Sequence, residues 1–132
     1  MFQYKRVTQF YETDAMGIIH HANYVYLMEE ARLSFVRQIP GSGNNPLGPI
    51  NYPLLSCEVQ YKKPLYFNDN VIVDFEVEAK AARLIFQYQI RTERSEHPVA
   101  FGKTVHAAYD MKAQRATKIP QAVIDFLAQR RK

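Results

Sequence analysis

Hydrophobic and polar positions change period several times along the chain. From Phe2 to Glu12 the residues Phe2, Tyr4, Thr8 and Phe10 share one parity, an imperfect alternation that predicts a first strand. From Tyr24 the period lengthens. Tyr24, Leu27, Met28, Ala31 and Phe35 fall at i, i+3, i+4, i+7 and i+11, one apolar stripe of an amphipathic helix, with Glu29, Glu30 and Arg32 largely outside it. Asn23 is the expected N-cap and Ile39-Pro40-Gly41 the expected stop. Gly41 to Pro53 carries too many breakers for either element and reads as a loop, placed either to wall a pocket or simply to connect.

Four alternating stretches follow. Leu55, Cys57, Val59 and Tyr61 share a face in the first, and Val71, Val73, Phe75, Val77 and Ala79 in the second. Leu84, Phe86, Tyr88 and Ile90 do so in the third; Val99, Phe101, Val105, Ala107 and Tyr109 mark the fourth. Short connections at Asn68-Asp69-Asn70, Ala81-Ala82-Arg83 and Ser95-Glu96-His97-Pro98 predict a meander of antiparallel hairpins. Pro120 suits the first turn of a short terminal helix with Val123, Phe126 and Leu127 on one side. One long helix among five strands buries its stripe only against the concave face of a curled antiparallel sheet, so the expected class is α+β. The sheet would have exposed edges, and pairing two copies edge to edge would cover them.

Length and charge narrow this picture. At 132 residues with 47% hydrophobic content, the chain is expected to form one domain, 1–132, with a single core. The absence of a long apolar run or a signal-like start predicts a soluble cytoplasmic protein. Cys57, the single cysteine, reads as a small core residue of its strand rather than a nucleophile. The net charge of +4 favours an anionic partner; its basic residues are scattered apart from Arg130-Arg131-Lys132, which argues against nucleic acid.

The stretch Phe-Tyr-Glu-Thr-Asp-Ala-Met-Gly-Ile-Ile-His-His-Ala-Asn-Tyr, residues 10–24, carries the chemistry. A strand end leads into Asp14, then Gly17, the pair His20 and His21, and the helix start. Helix starts present unpaired N–H groups and partial positive charge, which suit an anion developing on a reacting carbonyl. The chemistry this predicts is acyl transfer. Spacings that would hold a metal are absent, and so is a Gly-x-Ser-x-Gly nucleophile turn.

This stretch resembles the signature of hotdog-fold acyl-CoA thioesterases, most closely the 4-hydroxybenzoyl-CoA thioesterase type, which includes bacterial enzymes associated with the Tol-Pal system. A second match runs from Pro53 to Pro64 and on through Tyr66-Phe67-Asn68-Asp69. The resemblance implies a hotdog fold, a curled five-stranded antiparallel sheet wrapped around one long central helix. It also implies hydrolysis of an acyl-CoA or acyl carrier protein thioester, no cofactor beyond the coenzyme A of the substrate, and a homodimer assembling into a homotetramer with sites between protomers. Asp14 falls at the catalytic carboxylate, as nucleophile or general base. His21 falls where a backbone N–H polarises the thioester carbonyl, Gly17 at the tight approach of strand and helix, and Asn23 and Tyr24 where the helix start is fixed.

Other residues stand beside these. Phe10 falls where some relatives carry a tyrosine, and His20 is an extra histidine expected to be structural. Glu29 and Glu30 matter because a second hotdog branch carries its catalytic Glu on the helix; both lie off the apolar stripe and read as solvated charges or partners of Arg32. For the coenzyme A phosphates, Arg83 is the first candidate, with Lys62, Lys63 and Lys112 behind it. The rival readings are a hotdog hydratase or dehydratase and a non-catalytic acyl-thioester-binding or scaffold protein.

Overall fold

The computed structural model describes residues 1–39 and 50–130. Its strands are β1 (Phe2–Val7), β2 (Ile50–Asn51), β3 (Leu54–Tyr61), β4 (Asn70–Lys80), β5 (Arg83–Thr92), β6 (Ser95–Asp110) and β7 (Arg115–Thr117); its helices are α1 (Ala22–Gln38) and α2 (Gln121–Arg130). All pairings are antiparallel, in the order β1-β4-β5-β6, with β3 on the far side of β6.

The expected class holds, with corrections of detail. Among the described residues the sheet has seven strands rather than five, because short β2 and β7 extend the two flanks of β6 near Tyr109 and Asp110. Ile50 and Asn51 therefore leave the predicted loop; its wall-or-lid reading falls largely on 40–49, outside the described residues. β1 stops at Val7, and Phe10–Glu12 turn as a single 3-10 turn. The Asn68-Asp69-Asn70 connection is not a hairpin: β3 pairs with β6, and the chain crosses from β3 to β4 through Leu65 and Tyr66. Only β4, β5 and β6 form the meander.

The predicted helix stripe is the core stripe. Tyr24, Leu27, Met28, Ala31 and Phe35 are all buried, and Phe35 lies edge-on to Phe2, Phe86 and Phe126 at 5.1, 5.6 and 5.8 Å. Opposite them, Phe75 and Tyr88 are cross-strand neighbours, as are Val77 and Phe86, so one parity of the sheet forms the floor beneath α1. α1 comes very close to the sheet at Gly102, where any Cβ would overlap the Met28 sulfur. α2 adds Val123, Phe126 and Leu127 to the same core.

β3 departs from the expected burial. A register shift between Leu54 and Ser56 inserts Leu55 as a bulge, which puts Leu54 rather than Leu55 in line with Cys57, Val59 and Tyr61. Although its pattern alternates like a core strand, Leu54, Leu55, Cys57 and Tyr61 are exposed in the single chain. Cys57 is thus not a core residue of one protomer, because β3 is an edge strand beyond the cover of α1.

Candidate active site

The segment between β1 and α1 is a small closed loop. Thr13 and Ile19 form an isolated bridge, the Asp14 N–H donates to the Ile18 carbonyl at 2.8 Å, and the Gly17 N–H donates to the Asp14 carbonyl at 3.1 Å. Gly17 has φ +81°, the left-handed conformation that favours glycine, and open space lies where a Cβ would stand. Its role here is conformational rather than one of close approach between strand and helix. The Asp14 Oδ1 accepts the Met16 N–H at 2.8 Å and the Ile18 N–H at 3.4 Å, an Asx turn that fixes the carboxylate. Oδ2 has no hydrogen-bond partner among the described residues.

The helix start is held from several sides. The loop leans on the β3–β4 crossover through the Ile19 N–H on the Leu65 carbonyl at 2.8 Å and a bridge between Ile18 and Tyr66. The Glu12 carbonyl accepts the His20 N–H at 2.8 Å and the Asn23 side-chain amide at 3.0 Å. Asn23 is therefore not the N-cap. That place belongs to His21, and it is the His20 Nδ1 that accepts the Ala22 N–H, at 3.1 Å. The structural reading of His20 stands.

Around His21 the peptide geometry is informative. The His20 carbonyl accepts both the Asn23 N–H, at 2.9 Å, and the Asn23 side chain, at 3.3 Å. A trans peptide directs its N–H opposite its carbonyl, so the His21 N–H points away from the helix. No described residue accepts it. The His21 carbonyl in turn accepts the Tyr61 hydroxyl at 3.0 Å, pinning this corner to β3.

A cleft of about 380 Å³ opens at this corner, lined by Asp14, Ile18, His21, Tyr24, Tyr61 and Lys62. Of the residues singled out from the sequence, the structure brings Asp14, His21, Tyr24 and Lys62 together, with Gly17 shaping the loop beside them. Tyr24 is buried, its hydroxyl accepts the Leu65 N–H at 3.0 Å, and its ring meets that of Tyr61 at 4.9 Å. Burial raises its pKa, so it stays a neutral phenol. Lys63 also lines the cleft.

Arg83 is not brought to it. Arg83 pairs with Ala107 and Tyr61 with Ala100, seven positions apart along β6, a separation of about 23 Å at ~3.3 Å per residue. Lys112 sits in the turn after β6, outside this cleft. Glu30 is engaged by Arg6 at 2.6 Å and by the Tyr4 hydroxyl at 2.7 Å, and Glu29 lies 3.8 Å from Arg32, so neither faces Asp14's cleft. Among the described residues there is no cluster of metal-binding side chains and no helix long and apolar enough to cross a membrane.

Two site residues escaped the sequence. Tyr61 had a legible parity but no sign that its hydroxyl would reach the helix start. Glu12, two positions before Asp14, is buried, with its carboxylate bidentate to Arg6 at 2.7 and 2.6 Å. That hydrogen-bonded guanidinium holds the Glu12 carboxyl below its usual range.

Known proteins share this architecture. A "Putative esterase" of Aquifex aeolicus is 36% identical over 96% of this chain and 97% of its own length. A 1,4-dihydroxy-2-naphthoyl-CoA hydrolase of Synechococcus elongatus is 24% identical over 96% of this chain and 94% of its own. The crystal structure of a hypothetical protein from Aquifex aeolicus superposes with a TM-score of 0.85 at 34% identity, covering 96% of this chain and 99% of that one. Residues 8–127 match the thioesterase-like superfamily, and with the hotdog architecture and the loop around Asp14 already in place, the chain belongs to that superfamily.

Proposed function

We propose that the chain hydrolyses an acyl-CoA thioester to a free carboxylic acid and coenzyme A, with Asp14 as nucleophile or general base and the His21 N–H as oxyanion donor. One observation carries the reading: Asp14, with one carboxylate oxygen unpartnered among the described residues, and His21, with its backbone N–H likewise unpartnered, line the same cleft. Asp14 Oδ1 is held by two N–H groups, leaving Oδ2 for chemistry. Either it attacks the thioester carbon, expelling the thiolate and leaving a mixed anhydride for water to open, or it takes a proton from water that attacks directly. In both routes negative charge grows on the carbonyl oxygen, where a rigid N–H stabilises it without reorganisation. Within the superfamily the motif at residues 10–24 favours the 4-hydroxybenzoyl-CoA thioesterase branch.

Lys62, which lines the cleft, is the candidate partner of a coenzyme A phosphate; Arg83, about 23 Å away along the sheet, would serve one only from another copy of the chain. A second copy is part of the reading. The exposed apolar side chains of β3 and its outer edge, unpaired among the described residues, support pairing between protomers, with a homotetramer as the further assembly.

The test is thiol release from short, long and aromatic acyl-CoAs, hydroxyaryl thioesters included because of the named activity of the Synechococcus relative. Wild type is compared with Asp14→Asn. Turnover abolished by the substitution supports the proposal. Hydration without thiol release would favour a hydratase, and binding without turnover a scaffold. Single turnover in ¹⁸O-water tests the nucleophilic route: label in Asp14 and an unlabelled product acid require water to open a mixed anhydride at the Asp14 carbon, an outcome the general-base route cannot give.

A further inference from the structure

We propose that Arg6, on β1 and outside the cleft, is the positioning residue that sets the Asp14 loop against the helix start. Each of its three nitrogens is engaged. Its Nη1 and Nη2 grip the Glu12 carboxylate at 2.7 and 2.6 Å, its Nε donates to Glu30 on α1 at 2.6 Å, and Nη1 also reaches the Val7 carbonyl at 3.1 Å. The guanidinium thus joins three pieces of chain: β1, the turn that carries Glu12, and the middle of α1. The Tyr4 hydroxyl, from the same strand, completes the cluster on Glu30 at 2.7 Å.

What makes this more than a surface ion pair is the work of Glu12 on either side of the cleft. Its side chain is only 4% exposed and also accepts the Gln9 N–H at 2.8 Å. Its carbonyl accepts the His20 N–H and the Asn23 amide, which fix the peptide that presents the His21 N–H. Two residues on, Asp14 closes the loop through Ile18. One residue therefore sets both reacting groups, and Arg6 sets that residue. Fixing Glu12 to β1 and α1 together holds the distance between acid and amide constant, which is the quantity acyl transfer depends on. A lysine could not do the same, because a single ammonium lacks the fork that spans two carboxylates.

The inference rests on the thioesterase reading for its kinetic consequence but not for its structural one, and the experiment keeps them apart. Arg6→Lys retains a charge against Glu12; Glu30→Gln removes the charge from the arm to α1, weakening the Arg6 and Tyr4 contacts there while the grip on Glu12 is kept. For both, kcat and KM are measured on the best acyl-CoA of the wild type, and amide hydrogen exchange is followed residue by residue. In Arg6→Lys, kcat is expected to fall about 10- to 100-fold with KM within about threefold, the signature of misplaced groups. The His20 and Asp14 amides should exchange about tenfold faster, while β4 and β5 amides keep their protection. Glu30→Gln should show the same pattern at smaller amplitude. Unchanged exchange at His20 and Asp14, or acceleration spread equally over β4 and β5, would overturn the assignment. If wild type releases no thiol, the thioesterase reading fails and the exchange comparison still decides the role of Arg6.

Discussion

Asp14 illustrates how much a single side chain owes to its backbone. Its Oδ1 is occupied by the Met16 and Ile18 N–H groups, so the remaining oxygen is presented in one direction. Asp14→Asn should preserve these bonds through the amide oxygen while lowering kcat by about 100-fold or more, checked by thiol release with circular dichroism confirming the fold. His106 owes its state to burial. It is 2% exposed, with Nδ1 on the Tyr52 carbonyl and Nε2 on Thr104 Oγ1, both at 3.0 Å, and Thr104 Oγ1 lies 2.8 Å from the Tyr88 hydroxyl. Since a carbonyl only accepts, Nδ1 carries the proton and Nε2 accepts from Thr104. Burial, aided by the charge of Arg32, lowers the His106 pKa to about 4. The unfolded chain gains a proton near pH 6.5 and the folded one only near 4, so this stability is full above 6.5 and is lost as pH falls between them. The loss is about 3 kcal/mol in all. Urea unfolding at about pH 7 and about pH 4.5 should show it, and His106→Gln should flatten that dependence. Asp14's loop was visible in the sequence; the state of His106 was not, because its partners come from β6 and from the turn before β3.

At the scale of elements, α1 and the sheet meet where the sheet has no side chain. Gly102→Ala would drive a methyl into the Met28 sulfur. Met28 is buried, though its thioether is flexible, so the expected cost is about 1–3 kcal/mol, read as a lowered urea midpoint and partly restored in the double variant with Met28→Ala. Gly17 offers the contrasting case. Its surroundings are open, so Gly17→Ala tests the left-handed φ alone, at about 1–2 kcal/mol. The stripe Tyr24 to Phe35 was readable because helical periodicity and burial coincide. The β3 bulge and the partner of β3 were not, since alternation reports which residues share a face and says nothing about which strand lies alongside.

For the whole molecule the decisive feature is an edge. β3 carries Leu54 at 53%, Leu55 at 50% and Tyr61 at 47% exposure, apolar side chains beside backbone groups with no neighbour among the described residues. Such a strand invites pairing. Sedimentation should therefore find a dimer or larger, and Leu55→Lys should shift it toward the monomer without lowering the stability of the isolated fold. Loss of thiol release on dissociation would place part of the site across that edge. A monomeric wild type would remove the second copy from the proposed site.

By itself the sequence determined the local periods: one amphipathic helix, alternating strands, a glycine turn after an acid, and the superfamily to which those belong. These are legible because each is written within a few consecutive residues. Tertiary structure alone decided that β3 crosses to β6, that Asn23 ties Glu12 to the helix rather than capping it, that Arg83 stays about 23 Å along the sheet from the cleft end of β3, and that Arg6 grips Glu12 and Glu30 together. Those facts join residues far apart in the chain, and no period or propensity encodes a contact whose partners meet only after the sheet has curled around its helix.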